Sequence, residues 1–132
     1  MEGIQIDWLV VGLAAAINMA IGFFWYSKWL FGKTWLKLSH LSERDMDHSK
    51  MAILYGSAVS LVIAYFLAFF EGYLGVATVS DGMFVGFCFW LGFVATTQIS
   101  SVIWCKESLR LFFINTGHKL VSFLVMGGLI GA

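Results

Sequence analysis

The sequence predicts an all-α protein, an integral-membrane antiparallel four-helix bundle with no soluble domain. Three observations carry that expectation. The 132-residue chain is 60% hydrophobic and 12% charged, where a soluble domain has about 45–50% apolar and about 25% charged residues. Its apolar residues gather in four runs, Trp8 to Leu30, Met51 to Tyr73, Gly82 to Trp104 and Leu109 to Ile130, each long enough to cross about 30 Å of hydrocarbon as a helix. The runs lack strand alternation, and a backbone in lipid has to satisfy its own hydrogen bonds, which leaves the helix as their form.

The length suits one domain, residues 1–132. The opening MEGIQIDWLV has no basic segment before its apolar run, and the run is long and aromatic, so it reads as a first span rather than a cleaved signal. Capping residues stand where the spans need them: Asp7 before the first, Ser49 before the second, Ser80-Asp81 before the third and Ser108 before the fourth. The sizeable loop, residues 31–49, contains SHLSERDMDHS; the other connections are short, as between antiparallel neighbours. The chain contains no proline, which favours continuous helices over the broken half-helices of many transporter sites.

Charge placement supplies an orientation. Lys28, Lys33, Lys37, Arg44 and Lys50 flank or occupy the first loop, and Lys106 and Arg110 lie at the third, while the N-terminus, second loop and C-terminus have no basic residue. The positive-inside rule then puts the first and third loops in the cytoplasm and both termini outside, in a cell (plasma or inner) membrane. Trp8 and Tyr73 would mark the outer interface, and Trp25, Tyr26, Trp29, Tyr55 and Trp104 the inner one. The net charge is zero, so no global field draws in nucleic acid. Cys88 and Cys105 fall about 25 Å apart on one helix and cannot bridge each other. There is no CxxC, GxSxG or HExxH, and one intramembrane histidine does not supply paired axial ligands for haem, so no cofactor and no catalytic residue is expected.

The first span closes on GFFWYSKWLFGKTWLKL and the fourth reads LRLFFINTGHKLVSFLVMGGLIGA. Both segments resemble the small bacterial membrane-protein family catalogued as domain of unknown function 1761, in which a WYSxxLFGKxW signature ends the first helix and an INxGxxLVxFLxMGxxLG-like helix ends the chain. GFVATTQISSVIW, in span three, is similar to that family's third helix. The resemblance implies a four-helix membrane domain and no particular chemistry. This chain departs from the pattern after the third helix, where Cys105-Lys106-Glu107-Ser108 replaces a Gly-Arg-Pro-like stretch.

A polar layer is the leading candidate site. Asn18, Ser57, Ser60, Thr96, Thr97, Asn115, His118 and Lys119 fall within about 10 Å of one another in depth, slightly to the cytoplasmic side of the midplane. Asn115, His118, Lys119 and Ser122 share a face of span four. An ammonium at mid-membrane costs about 2.5–3.5 kcal/mol on the translocon scale, so an intramembrane lysine or histidine is a functional candidate by default. Asn18 and Thr97 are its expected partners. The alternative is that Lys119 snorkels to the headgroups and that the Asn, Ser and Thr side chains only join helices. Lys28, Lys33 and Lys37, interleaved with aromatic residues, suit contact with anionic lipid, and ordinary topology determination accounts for them equally. His40, Glu43, Asp45, Asp47 and His48 lack metal-ligand spacing, so no metal is expected; a solvated short helix explains them better. Small residues Gly56, Ser60, Ala64, Ala68 and Gly72 recur every four positions, a ridge for close helix approach within one chain or between copies in a homo-oligomer.

The leading functional expectation is an oligomeric transporter or channel for a small solute or ion, using the polar layer. The alternative is a structural or accessory membrane protein that binds lipid or a membrane partner. A membrane enzyme ranks last, since Ser60 or Ser122 with Lys119 is the one nucleophile arrangement available.

Overall fold

The computed structural model describes residues 5–27, 30–39 and 49–132. They form α1 (Trp8–Trp25), the short α2 (Gly32–Ser39), α3 (Ser49–Tyr73), α4 (Val79–Trp104) and α5 (Leu109–Gly131), with no strand among the described residues. Four of these helices, α1, α3, α4 and α5, are long and apolar enough to cross a membrane. Their large outward side chains, among them Phe23, Val62, Phe66, Phe84, Phe93 and Phe113, are more than half exposed, an arrangement that suits lipid and not water.

Helix ends follow local chemistry. Asp7 Oδ1 accepts from Leu9 N and Val10 N at 3.1 and 3.4 Å, and Ser108 caps α5 through Arg110 N and Leu111 N. At α4 the cap is Thr78, whose hydroxyl accepts from Asp81 N at 3.2 Å, rather than Ser80-Asp81, so the helix starts at Val79. Helix α1 stops at Trp25 instead of running to Leu30, because the chain turns back on itself. Phe31 N donates to Trp25 O and Gly32 N to Ser27 O, and a side chain on Gly32 would run into the carbonyls of Tyr26 and Ser27. Helix α3 ends in a Schellman motif, with Val76 N donating to Glu71 O, Gly75 N to Gly72 O, and Gly75 at φ 73°.

Continuity without proline has one qualification. Trp90–Ala95, inside α4, is a π-helical turn. The hydroxyl of Thr96 donates to Gly92 O at 2.8 Å and that of Thr97 donates to Phe93 O and Val94 O, while Trp90 Nε1 reaches Thr116 O on α5 at 2.8 Å. The threonine hydroxyls thus occupy backbone acceptors that a wider turn presents, while the Trp90 indole ties the turn to a carbonyl of α5.

Helix α5 is the axis of the bundle. Its Phe123 and Met126 pack with Val11, Ala14 and Ala15 of α1 and with Ala64 and Leu67 of α3 to form the core. Its other side meets α4 backbone to backbone. A Cβ on Gly82 would collide with the carbonyl of Gly127, and one on Gly86 with the carbonyl of Phe123. In a membrane, where lipid is as apolar as a leucine side chain, such close approach and its van der Waals contact is the main source of helix association. Replacing Gly86 by valine is expected to lower bundle stability by about 1–3 kcal/mol through overpacking, whereas Gly12→Ala, at an exposed position with nothing within 4 Å, should hold or gain up to about 1 kcal/mol. Thermal unfolding of the two variants in detergent micelles measures the difference.

Candidate functional site

Polar side chains between the helices divide into those that find partners and those that do not. The first partnered pair is Asn18 Nδ2 donating to Ser60 Oγ at 2.6 Å, which links α1 to α3 with Ser60 buried. Gly56, one turn away, receives the Met19 side chain. The central members of the small-residue ridge, Ser60 and Ala64, are therefore buried inside the chain, Ala68 is half-buried, and Gly72 is exposed.

The second group fastens the end of α1 to α5. Trp25 Nε1 donates to Ile114 O at 2.9 Å, and its ring lies against Gly117. Tyr26 donates its hydroxyl proton to Asn115 Oδ1 at 2.7 Å. The His118 ring sits 5.4 Å from Tyr26 and 6.3 Å from Trp25, while Phe31 and Trp35 close the same aromatic cluster. The WYS segment of α1 and the INTGH segment of α5 are thus one contact seen from two sides.

Of the polar layer expected from sequence, Asn18 with Ser60, and Asn115 with His118, stand at these two junctions. Thr96 and Thr97 do not join them, since both are exposed and bonded to their own helix. Lys119 is half-buried on α5. Lys33 and Lys37 are exposed on α2, and Lys28 lies outside the described residues, as do His40, Glu43, Asp45, Asp47 and His48. Among the described residues no three His, Cys, Asp or Glu side chains gather closely enough to hold a metal ion.

Among the described residues three buried groups have no hydrogen-bond partner: both carboxyl oxygens of Glu71, Nε2 of His118 and Oγ of Ser122. Glu71 is 2% exposed and Ser122 is 1% exposed. His118 and Ser122 are one turn apart on α5, about 6 Å along its axis. Glu71 reaches the bundle from α3 beside Gly82, whose added Cβ would lie 2.6 Å from Oε1, and so stands at the level of Gly127, about 7.5 Å beyond Ser122 toward the chain termini. The partnerless groups thereby form a series along the bundle axis.

Each end of the bundle has a polar pocket. Gln98, Ser101, Glu107, Phe112 and Asn115 line one of about 240 Å³ at the first- and third-loop end. At the other, Gln5, Asp7, Val10, Glu71, Val76 and Ile130 line one of about 280 Å³. An apolar groove of about 270 Å³ runs between α3 and α4, walled by Val62, Phe66, Phe70, Phe89 and Phe93 with Phe123 behind.

Glu71 falls near the end of the second apolar run, and its burial is not evident from that position. The signal is present: Ser60, Ala64, Leu67 and Glu71 follow a 4-3-4 spacing on one helix face, so a carboxyl shares the face that carries the core. Tyr26 was legible as an interface aromatic and not as a hydrogen-bond donor, because its acceptor is far away in sequence. A double-mutant cycle on Tyr26→Phe and Asn115→Leu is expected to give a coupling of about 1 kcal/mol in thermal unfolding; additive effects would mean that the bond contributes nothing.

Comparison with curated proteins and with solved structures finds no match. The model of one protein family matches residues 9–131, nearly the whole chain. The protein belongs to that family, described as a protein of unknown function (DUF1761).

Proposed function

We propose that the protein is a small multi-pass membrane transporter or channel that passes a small solute or ion between pockets at the two ends of its bundle. The observation that carries this reading is the series formed by the Glu71 carboxyl, Ser122 Oγ and His118 Nε2, buried and without hydrogen-bond partners among the described residues. An unmade hydrogen bond of this kind costs about 1–3 kcal/mol for each group, and polar groups facing a bundle interior are the usual markers of a solute or proton pathway. The pockets at opposite ends, each bordered by a carboxylate, Glu107 in one and Glu71 in the other, supply a way in and a way out.

The rest of the arrangement follows the sequence. Basic residues at the first and third loops support a cytoplasmic position for that end and an outside position for both termini, in the cell membrane. The four spanning helices barely enclose a path, so association of copies is part of the proposal. A second reading, an accessory protein that binds lipid, is supported by the phenylalanine-walled groove between α3 and α4, which is open on the face that would meet acyl chains, and by Lys33 and Lys37 on α2.

Flux separates the two. The purified protein in liposomes is expected to carry at least one of sodium, potassium or methylammonium faster than protein-free vesicles, and Lys119→Met and His118→Phe, which alter the polar groups on α5, should each lower that flux about tenfold or more. Flux that is absent for all three cations, or unaltered by both substitutions, contradicts the transport reading and leaves the lipid-binding one.

A further inference from the structure

We infer that the pocket at the end of the bundle that holds the chain termini is a binding site for a small organic cation, a primary ammonium with a short apolar body, held by Glu71. The site supplies a ligand for the proposed pathway, and it rests on that reading only for the passage of the cation after binding.

The described side chains around the pocket are unbalanced in charge. All eight Lys and Arg residues, at positions 28, 33, 37, 44, 50, 106, 110 and 119, fall by sequence in or near the first and third loops or in the first half of α5. The end where α1 begins and α3 turns into α4 carries Asp7, Glu71 and Asp81 and, among the described residues, no basic side chain. An end whose charged side chains are acidic concentrates cations at its mouth. Within it Glu71 is 2% exposed, borders the pocket, and has neither carboxyl oxygen bonded. Asp7, by contrast, is exposed at the mouth with Oδ1 already engaged in capping α1. A buried carboxyl without a counter-charge takes up a proton or takes a cation from outside, and no basic side chain among the described residues reaches Glu71.

The lining decides which kind of cation fits. Two unbonded carboxyl oxygens match the several N–H donors of a primary ammonium. Val10, Ala68, Val76 and Ile130 supply apolar wall, with Gln5 and Ala132 also lining the pocket, which suits an apolar body a few carbons long within about 280 Å³. A bare metal ion would leave that apolar wall unused. Glu71 Oε1 lies beside Gly82, where a glycine leaves it room, and the residue borders the pocket; the proposal is that a cation entering the pocket draws the carboxylate toward it.

The test is equilibrium binding of radiolabelled n-butylammonium to the full-length protein in nanodiscs of zwitterionic lipid, where no anionic headgroup competes. Saturable binding is expected, weakened at least about tenfold by Glu71→Gln and not shared by n-pentanol, a neutral molecule of similar size. In the wild-type protein, dicyclohexylcarbodiimide, which attacks carboxyl groups in apolar surroundings, should modify Glu71 more slowly when butylammonium is present, as read by mass spectrometry of the peptide that holds it. This second measurement is independent of how the variant folds. Absent saturable binding, unchanged affinity in Glu71→Gln, equal binding of the alcohol or unprotected Glu71 each overturns the inference. Binding with these properties but no flux in liposomes would keep the site and remove the transport reading.

Discussion

The backbone contact between α4 and α5 is the constraint on which the rest of the bundle depends. Gly82 and Gly86 lie so close to Gly127 and Phe123 that no side chain fits between the helices. Hydrophobic burial gives little reason for apolar helices to leave lipid for one another, so close packing has to provide it. With α4 held this tightly, the opposite side of α5 is free for α1 and α3, and Phe123 and Met126 become the centre of the core. Glu71 owes its place to the same contact, since the carboxyl occupies space beside Gly82 that any larger residue would fill.

Polar groups in such a bundle answer to a stricter rule than in water. Asn18 with Ser60, Tyr26 with Asn115, and Trp25 with the Ile114 carbonyl satisfy one another and fix how α1 lies on α3 and α5. Thr96 and Thr97 resolve the problem within their own helix, at the π-helical turn of α4. Glu71, Ser122 and His118 Nε2 do not resolve it. Unpaired buried polar groups cost stability, and the functional proposal begins from these three.

Much of the fold was legible in the sequence because hydropathy in a membrane is nearly a structural statement: a long apolar run has few alternatives to a helix. Asp7 and Ser108 were readable as caps from local chemistry alone. The early end of α1 at Trp25 was not, because apolar residues continue to Leu30 and the turn depends on Gly32 lying under the Tyr26 and Ser27 carbonyls. The candidate site was legible in part. Spacing put Asn115, His118 and Ser122 on one face of α5, but which helix meets that face is a matter of tertiary packing, so Tyr26 and Trp25 were not foreseen as partners. Glu71 lies near the end of its span, as its position in the sequence requires, but its burial was not foreseen, because that comes from the rotation of α3 about its axis. Thr97, expected beside Lys119, faces outward for the same kind of reason.

The most direct test of this account is a cross-link across the α4–α5 face. A Cβ on Gly128 would lie 2.9 Å from Met83 Cγ, which is about the reach of a disulfide between the two positions. In protein with Cys88 and Cys105 replaced by serine, Met83→Cys combined with Gly128→Cys should close to an intrachain disulfide under mild oxidation in native membranes, read as a faster-migrating monomer on a non-reducing gel. No disulfide, or one that forms only between chains, would mean that α4 and α5 do not meet through their glycines, and the placement of Glu71 would fall with that contact.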